Sequence, residues 1–348
     1  MKSKSNATPP ERMAGIEWMR GVAAFGVICI HSGLAVHNQT DSAAAALRAS
    51  FSFAVPFFLA LSFFFAIRAE TVRPLSWNPW LRRHSERLLI PFFFWSLVYL
   101  GLHVAKLILH HQTQEIKSLL LNDPAGLLLS GGTSVALYFV PLLLSGLILL
   151  RILAPLLNRL PLPGLLLGFM VGAILHQLVP DRFPEASLQG PWLALPKFCL
   201  SLLAEAVRCF PLIFMAAILN RFLFSPSTKE APAFLALGGV ILILQNLFPL
   251  TFGLTESIWG LGAFLLAWGL SGVVKANPTA FIVGRFSFGV YLVHQVFLEL
   301  IQVTFPYGGT IGIGGTLLIS TVTFAASMAT VAVASRSGPF VSRVFGLK

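Results

Sequence analysis

The chain has 348 residues, of which 56% are hydrophobic and only 11% are charged. Soluble domains carry about 25% charged residues, so this composition excludes an ordinary soluble protein and indicates an integral membrane protein. The formal net charge is +11. We assign this excess to membrane topology rather than to nucleic-acid binding, because the basic residues fall mostly between apolar runs.

Uncharged runs long enough to cross a bilayer recur along the sequence. Eight of them are plain: 21–40, 49–67, 88–105, 124–150, 160–180, 231–255, 257–274 and 300–335. Two more spans result if run 209–220 extends back through Glu205 and Arg208, and if run 286–298 continues through Glu299. A turn signal at 305–309 then divides the last run. We therefore predict an all-α integral membrane protein with about ten transmembrane helices.

The distribution of lysine and arginine predicts the orientation. If the N-terminus is cytoplasmic, the opposite side keeps only Arg48, Lys106, Lys117, Arg182 and Lys197. The positive-inside rule then places both termini in the cytoplasm. The predicted organisation is a cytoplasmic tail at 1–14, a polytopic membrane domain at 15–335 and a cytoplasmic tail at 336–348. The basic, tryptophan-containing segment 68–87 is typical of a connection that lies at the membrane interface.

The first apolar segment carries Glu17, Arg20 and His31. Arg20 and His31 are three helical turns and about 20° apart, so they share a helix face with a rise of roughly 16 Å between them. Charges within a membrane segment are costly and mark functional sites. Imidazole, with an unperturbed pKa of about 6.5, suits a general base for a hydroxyl. The alternative is that Glu17 and Arg20 anchor the helix end and His31 is a packed histidine.

A second cluster contains Arg82, Arg83 and Arg87. Clustered guanidinium groups bind phosphates, so the cluster indicates a cytoplasmic anion site. The alternative is a positive-inside anchor, and any one of these arginines fits that interpretation.

A third group lies near the end of the chain. Ser287, Tyr291 and His294 follow helical spacing and share a face, and Glu299 continues the same helix. The grouping favours an interhelical polar network, whereas each residue alone would be core filler. Glu205 and Arg208 form another i, i+3 pair, and we expect their opposite charges to neutralise each other. The cysteines and remaining histidines show no metal-ligand spacing, so we predict no metal.

Taken in order, these segments resemble the acyltransferase-3 family of membrane acyltransferases. The matching positions are Glu17, Arg20-Gly21 and His31; Val55-Pro56-Phe57-Phe58 with Ser62; Arg87-Leu88 and Pro91; Tyr138-Phe139-Val140; and Phe286-Ser287, Tyr291-Leu292 and His294. The chain departs from the family pattern at Glu17, where aspartate is usual, and at Phe63, where glycine is usual. It also has His84 in place of an arginine, and Tyr138 where tryptophan is more usual.

The resemblance implies transfer of an acyl group, commonly acetyl from acetyl-CoA, to a hydroxyl of a sugar or polysaccharide precursor. Arg82, Arg83 and Arg87 would hold the phosphates of the acyl-CoA donor, and no permanently bound cofactor is implied. His31 would be the general base or carry the acyl group, with Glu17 and Arg20 orienting the site. Ser287, Tyr291, His294 and Glu299 would shape the acceptor side. The implied location is the bacterial inner membrane, with the lipid bilayer and the glycan acceptor as partners.

The residues alone also allow a different class of protein. A non-enzymatic exporter of polysaccharide or lipid-linked glycan could use the same set of helices, and a membrane scaffold is a third alternative. A passive conduit has no specific need for His31, which favours the enzyme.

Overall fold

The structure is a computed structural model that describes residues 13–37, 40–72, 75–109, 111–112, 114–116, 127, 132–179, 194–250, 253–304 and 309–347. Its helices are α1 Ala14–His31, α2 Ser42–Ser50, α3 Ala54–Val72, α4 Trp77–Leu109, α5 Phe139–Arg159, α6 Leu162–Leu178, α7 Ala194–Phe222, α8 Ala231–Leu247, α9 Thr255–Val273, α10 Pro278–Thr304, α11 Ile313–Ala334 and α12 Pro339–Val344. A 3₁₀ turn, Ser32–Val36, continues α1. The predicted tail up to residue 12, most of the predicted turn at 305–309, and Lys117 and Arg182 lie outside the described residues.

The all-helical, multi-pass membrane class is confirmed. Within the described ranges, eight helical segments are long and apolar enough to cross a membrane. Two further apolar helices, α6 and α8, coincide with predicted spans and have 17 residues each, the lower end of the spanning range. The count of about ten and the cytoplasmic position of both termini stay predictions.

Helix α1 lies inside the bundle, packed against α3, α9, α10 and α11. It approaches α9 so closely at Gly15 that a Cβ atom there would meet the backbone of Leu270 and Ser271. Small residues permit such contacts between membrane helices. The hydroxyl of Ser271 accepts a hydrogen bond of 3.0 Å from the backbone N–H of Ile16, which satisfies one of the donors that a helix N-terminus leaves unpaired.

The contacts of α1 also fix the directions of its neighbours. The start of α1 meets the end of α9. Glu17 packs against Gly284 near the start of α10, and His31 lies beside His294 further along it, so α1 and α10 are parallel. The same end of the bundle therefore holds the N-terminal turns of α1 and α10.

The segment predicted as an interfacial connection, 68–87, is mostly helical. Helix α3 continues to Val72 and α4 begins at Trp77, so the basic cluster lies on the first turns of a 33-residue helix. At about 1.5 Å per residue, α4 is longer than a hydrocarbon core is thick, so its charged turns extend beyond its apolar part. The predicted C-terminal tail likewise contains a helix, α12, which packs on α4.

Phe63 has a specific partner in the fold. Its side chain is fully buried, and its ring tip occupies the space where a Cβ atom of Gly146 on α5 would lie, 2.5 Å away. The bulk added on α3 is therefore matched by a missing side chain on α5. Close packing of this kind keeps the helices in contact despite the large residue.

Candidate active site

A basic pocket of about 740 Å³ opens at the end of the bundle where α1 and α10 begin. It is lined by Glu17, Arg20, Pro79, Arg82, Arg83, Glu86, Arg87, Phe281, Arg285, Arg343, Gly346 and Leu347. These residues come from α1, α4, α10 and the C-terminal segment, so the pocket exists only in the folded chain. Its volume lies within the range typical of small-molecule sites.

The lining of the basic pocket is strongly cationic, with six arginines and two glutamates. Both glutamates are engaged: Glu17 pairs with Arg20 at 3.0 Å, and Glu86 pairs with Arg82 at 2.8 Å. The other four arginines, Arg83, Arg87, Arg285 and Arg343, form no ion pair within the described chain, although the Glu86 carboxylate is close enough to Arg343 to attract it. Guanidinium groups in this number favour a ligand with more than one negative charge.

Glu17 is held in place by α10 as well as by Arg20. A Cβ atom on Gly284 would collide with the Glu17 carboxylate, so only glycine at 284 lets the carboxylate lie against the α10 backbone. Gly284 also accepts a hydrogen bond of 2.8 Å from the hydroxyl of Ser287. The i, i+3 ion pair on α1 is therefore positioned by a contact with a distant helix, which orients Arg20 toward the basic pocket.

The second part of the site is the imidazole pair, formed by His31 and His294. Their ring centroids are 5.5 Å apart and their planes meet at 72°. His31 ends α1 and is partly buried, whereas His294 is in the middle of α10 and fully buried. On α1, the rise from Arg20 to His31 is roughly 16 Å. The imidazole pair therefore lies deeper in the bundle than the basic pocket.

The hydrogen bond of His294 fixes its tautomer. Its Nδ1 is 2.6 Å from the carbonyl oxygen of Tyr291. A carbonyl oxygen only accepts, so Nδ1 carries the proton and Nε2 has the free lone pair. Nε2 is buried and has no hydrogen-bond partner among the described residues. Most buried polar atoms have a hydrogen-bond partner, so the lone pair of this Nε2 is available to a bound group.

Aromatic rings and a short polar row surround the imidazole pair. Tyr291 lies 5.9 Å from His294 and 5.4 Å from Phe139, between ring centroids, and its hydroxyl is buried. Gln295 lies one turn beyond Tyr291 on α10, and Glu299 lies one turn further. The side-chain amide of Gln295 donates a hydrogen bond of 3.5 Å to the Glu299 carboxylate. Polar side chains thus continue along α10 away from the basic pocket.

The structure places the predicted residues in two groups. Glu17, Arg20, Arg82, Arg83 and Arg87 line the basic pocket, while His31, Tyr291 and His294 lie together deeper in the bundle. Glu299 lies beyond His294 on the same helix. Ser287 is bonded to Gly284 and so lies nearer to the Glu17 end. The arrangement does not by itself assign a role to any residue, so the roles of these residues stay predictions.

Sequence reasoning missed Arg285 and Arg343 as lining residues of the basic pocket. Arg285 directly precedes the late motif, and its position before Phe286-Ser287 was the available signal. Arg343 carries no sequence signal, because only the packing of α12 on α4 brings it to the pocket.

Two polar groups lie outside this arrangement. His84 stacks on Trp80 with centroids 4.2 Å apart, and its Nδ1 bonds to the Trp80 carbonyl oxygen, so it does not line the basic pocket. Glu205 on α7 has a buried carboxylate oxygen and does not line the basic pocket. Its predicted mutual neutralisation with Arg208 stays a prediction.

The described residues contain no group of three His, Cys, Asp or Glu side chains placed to hold a metal ion. Comparison with known proteins gives one positive result. The family model described as an acyltransferase domain matches residues 13–334, which include every predicted site residue. No curated protein and no solved structure matches the chain. Because the family model covers nearly the whole sequence, the chain belongs to the acyltransferase-3 family of membrane acyltransferases.

Proposed function

We propose that this protein transfers an acyl group, most simply acetyl, from acyl-CoA to a hydroxyl of a sugar or cell-surface polysaccharide precursor. The observation that carries the proposal is that one helix, α1, contributes to both parts of the site. It supplies Arg20 to the basic pocket and His31 to the imidazole pair. On this proposal, one helix would contribute to both anion binding and proton transfer.

The basic pocket suits the phosphates of the donor. Arg83 and Arg87 are not neutralised by a carboxylate within the described chain, and Arg82 retains donors beyond its single bond to Glu86. Guanidinium groups bind phosphate oxygens through two parallel hydrogen bonds. A donor whose thioester lies at the end of a long pantetheine arm can be held there by its phosphates while the acyl group reaches the deeper imidazole pair.

His31 would act on the acceptor hydroxyl as general base. As the hydroxyl oxygen bonds to the thioester carbonyl carbon, its proton passes to an imidazole nitrogen of His31 and the carbon–sulfur bond breaks. The imidazolium then returns the proton to the coenzyme A thiolate, so the products are an O-acyl ester and a free thiol. His294, which has a lone pair on Nε2, would stabilise the imidazolium or orient the His31 ring.

The acceptor would lie on the α10 side of the imidazole pair. Tyr291 and Glu299 offer a hydroxyl and a carboxylate there, groups that can hydrogen-bond to sugar hydroxyls. Ser287 is a weaker candidate, because its hydroxyl is already bonded to Gly284. We place this reaction at the inner membrane of a bacterium, with the donor arriving from the cytoplasm.

The test is label transfer from radioactive acetyl-CoA to glycan in membranes that contain the full chain or its His31→Gln variant. We expect the variant to lose at least a hundredfold in transfer rate, in line with removal of a general base. His103→Gln is the matched control, because His103 is an exposed histidine on α4 that does not line the basic pocket. It should retain the wild-type rate.

Unchanged label transfer by His31→Gln would contradict the proposal. Normal glycan acetylation with loss of glycan export would instead identify a conduit, which is the alternative that the residues alone left open.

A further inference from the structure

The basic pocket has a wall outside the family-matched residues. We propose that the C-terminal segment 339–347 is a binding element of this pocket and that Arg343 is a direct ligand for the phosphate groups of the acyl donor. The inference rests on the proposed function for the chemistry of the donor. Its geometric basis is separate: Arg343, Gly346 and Leu347 line the basic pocket, although the family match ends at residue 334.

The segment is fastened to the membrane helices by specific contacts. The indole N–H of Trp95 on α4 donates a hydrogen bond of 2.9 Å to the carbonyl oxygen of Val344, and both residues are buried. The ring of Trp95 also meets the ring of Phe345 edge to face, at 5.3 Å. A buried hydrogen bond and an aromatic contact together hold the two residues that directly follow Arg343.

A tight turn then brings the end of the segment to α10. Gly346 has a φ of 65°, which L side chains rarely adopt, and a Cβ atom there would collide with the ring of Phe288. Only glycine permits both the turn and the close approach. The segment is therefore shaped to contact α4 and α10, the two helices that contribute the other arginines to this side of the pocket.

Arg343 completes a set of cations that α4 alone does not supply. On α4, Arg82 is paired with Glu86, and His84 is stacked on Trp80 outside the lining, which leaves Arg83 and Arg87. Arg285 and Arg343 have exposed positions on the other walls and form no ion pair within the described chain, and only Arg343 is attracted at longer range by the Glu86 carboxylate. A ligand with several negative charges would contact arginines from separate elements of the fold.

Binding to the full-length protein in zwitterionic nanodiscs tests the assignment. The probes are coenzyme A and inorganic pyrophosphate, compared between the wild type, Arg343→Gln and Arg336→Gln. Arg336 is an exposed arginine just after α11 and does not line the pocket, so its variant makes the same charge change nearby. We expect Arg343→Gln to weaken coenzyme A binding about tenfold or more, the effect of losing a charge-assisted hydrogen bond. Arg336→Gln should bind like the wild type.

A second variant tests how the C-terminal segment is held in place rather than the charge of Arg343. Trp95→Phe keeps an aromatic ring against Phe345 but removes the N–H donor to Val344. If the segment must be fixed in place, this variant weakens coenzyme A binding although every arginine is intact. Arg343→Lys should recover only part of the affinity, because an ammonium group lacks the paired donors of a guanidinium.

The outcomes separate this inference from the proposed function. The inference is overturned if Arg343→Gln leaves coenzyme A binding unchanged. If acetyl transfer still depends on Arg87 in that case, the proposed function stands. Arg343-dependent binding of pyrophosphate and coenzyme A without any acetyl transfer would support the phosphate site while the proposed function fails. Repeating the measurement with anionic lipid in the nanodiscs tests whether Arg343 binds lipid headgroups instead of coenzyme A. If Arg343→Gln alters only the effect of that lipid and not coenzyme A binding, the assignment is wrong.

Discussion

His31 at the end of α1 and His294 in the middle of α10 bring their rings to 5.5 Å, edge toward face. The two residues are far apart in the sequence, and the parallel packing of α1 and α10 brings them into contact. The same two helices also place Glu17 against Gly284 at the basic pocket. A change in how α1 packs on α10 would therefore alter both parts of the site together.

His294→Gln should lower the rate constant of acetyl transfer without weakening donor binding. His294 is buried beside His31 but about 16 Å deeper than Arg20 by helical rise, so its loss affects the reaction and not the basic pocket. Steady-state kinetics with acetyl-CoA should show kcat reduced about tenfold or more and KM for acetyl-CoA within about twofold. An unchanged kcat would remove His294 from the reaction centre. His103→Gln again provides the control for loss of an imidazole elsewhere.

Gly284→Ala should impair donor binding although it changes no charge. The added methyl group would occupy the position of the Glu17 carboxylate, so Glu17 must move and its ion pair with Arg20 must rearrange. We expect a several-fold rise in KM for acetyl-CoA and a lower melting temperature in detergent. Gly239→Ala on α8 is the control, because its added methyl group meets no atom within 4 Å. Equal kinetics for the two variants would contradict the role of the Glu17–Gly284 contact.

Glu70→Gln should destabilise the fold and leave the catalytic constants of the folded protein unchanged. Glu70 and Arg151 form an ion pair between α3 and α5 with little solvent exposure, and Arg151 also bonds to the Leu75 carbonyl oxygen. Breaking one side of a buried pair leaves an uncompensated charge, which costs about 3–5 kcal/mol. Thermal unfolding in detergent should show a clear fall in melting temperature.

Glu86→Gln serves as the comparison for stability, because the Arg82–Glu86 pair is largely exposed. Exposed pairs contribute little to stability, so its melting temperature should match the wild type. If Glu70→Gln is as stable as Glu86→Gln, the buried pair does not stabilise the α3–α5 contact.

Gly146→Ala should destabilise the protein because its methyl group would overlap the ring of Phe63. Overpacking of a filled core costs about 1–3 kcal/mol. Combining it with Phe63→Leu, which vacates part of that space, should give a smaller loss of stability than the sum of the two single variants. Additive losses of melting temperature would show that the two positions are not coupled.

The fold class was predictable because membrane insertion leaves a strong signal in composition. Apolar runs and the positions of charged residues located every long helix in the described part of the chain, and Leu162–Leu178 and Ala231–Leu247 differ only in being short for a span. The first turns of α4 were misinterpreted as a connection. Hydropathy does not distinguish charged residues in a loop from charged residues on a helix that extends beyond the hydrocarbon core.

The site was only partly predictable, since helical spacing relates residues within one helix. It placed Arg20 and His31 on one face, and it grouped Tyr291 with His294. It could not show that His31 meets His294, that Gly284 makes room for Glu17, or that Gly146 makes room for Phe63. Those contacts depend on which helices are neighbours, and that information lies in long-range packing.

The most direct test of the account is a steady-state measurement of coenzyme A thiol release by the purified full chain with acetyl-CoA and a membrane glycan extract. It compares His31→Gln with Arg87→Gln. If the basic pocket binds the donor and the imidazole pair performs the reaction, Arg87→Gln raises KM for acetyl-CoA with a smaller effect on kcat. His31→Gln then lowers kcat at least a hundredfold with KM nearly unchanged. Full thiol release by His31→Gln at the wild-type kcat would contradict the account.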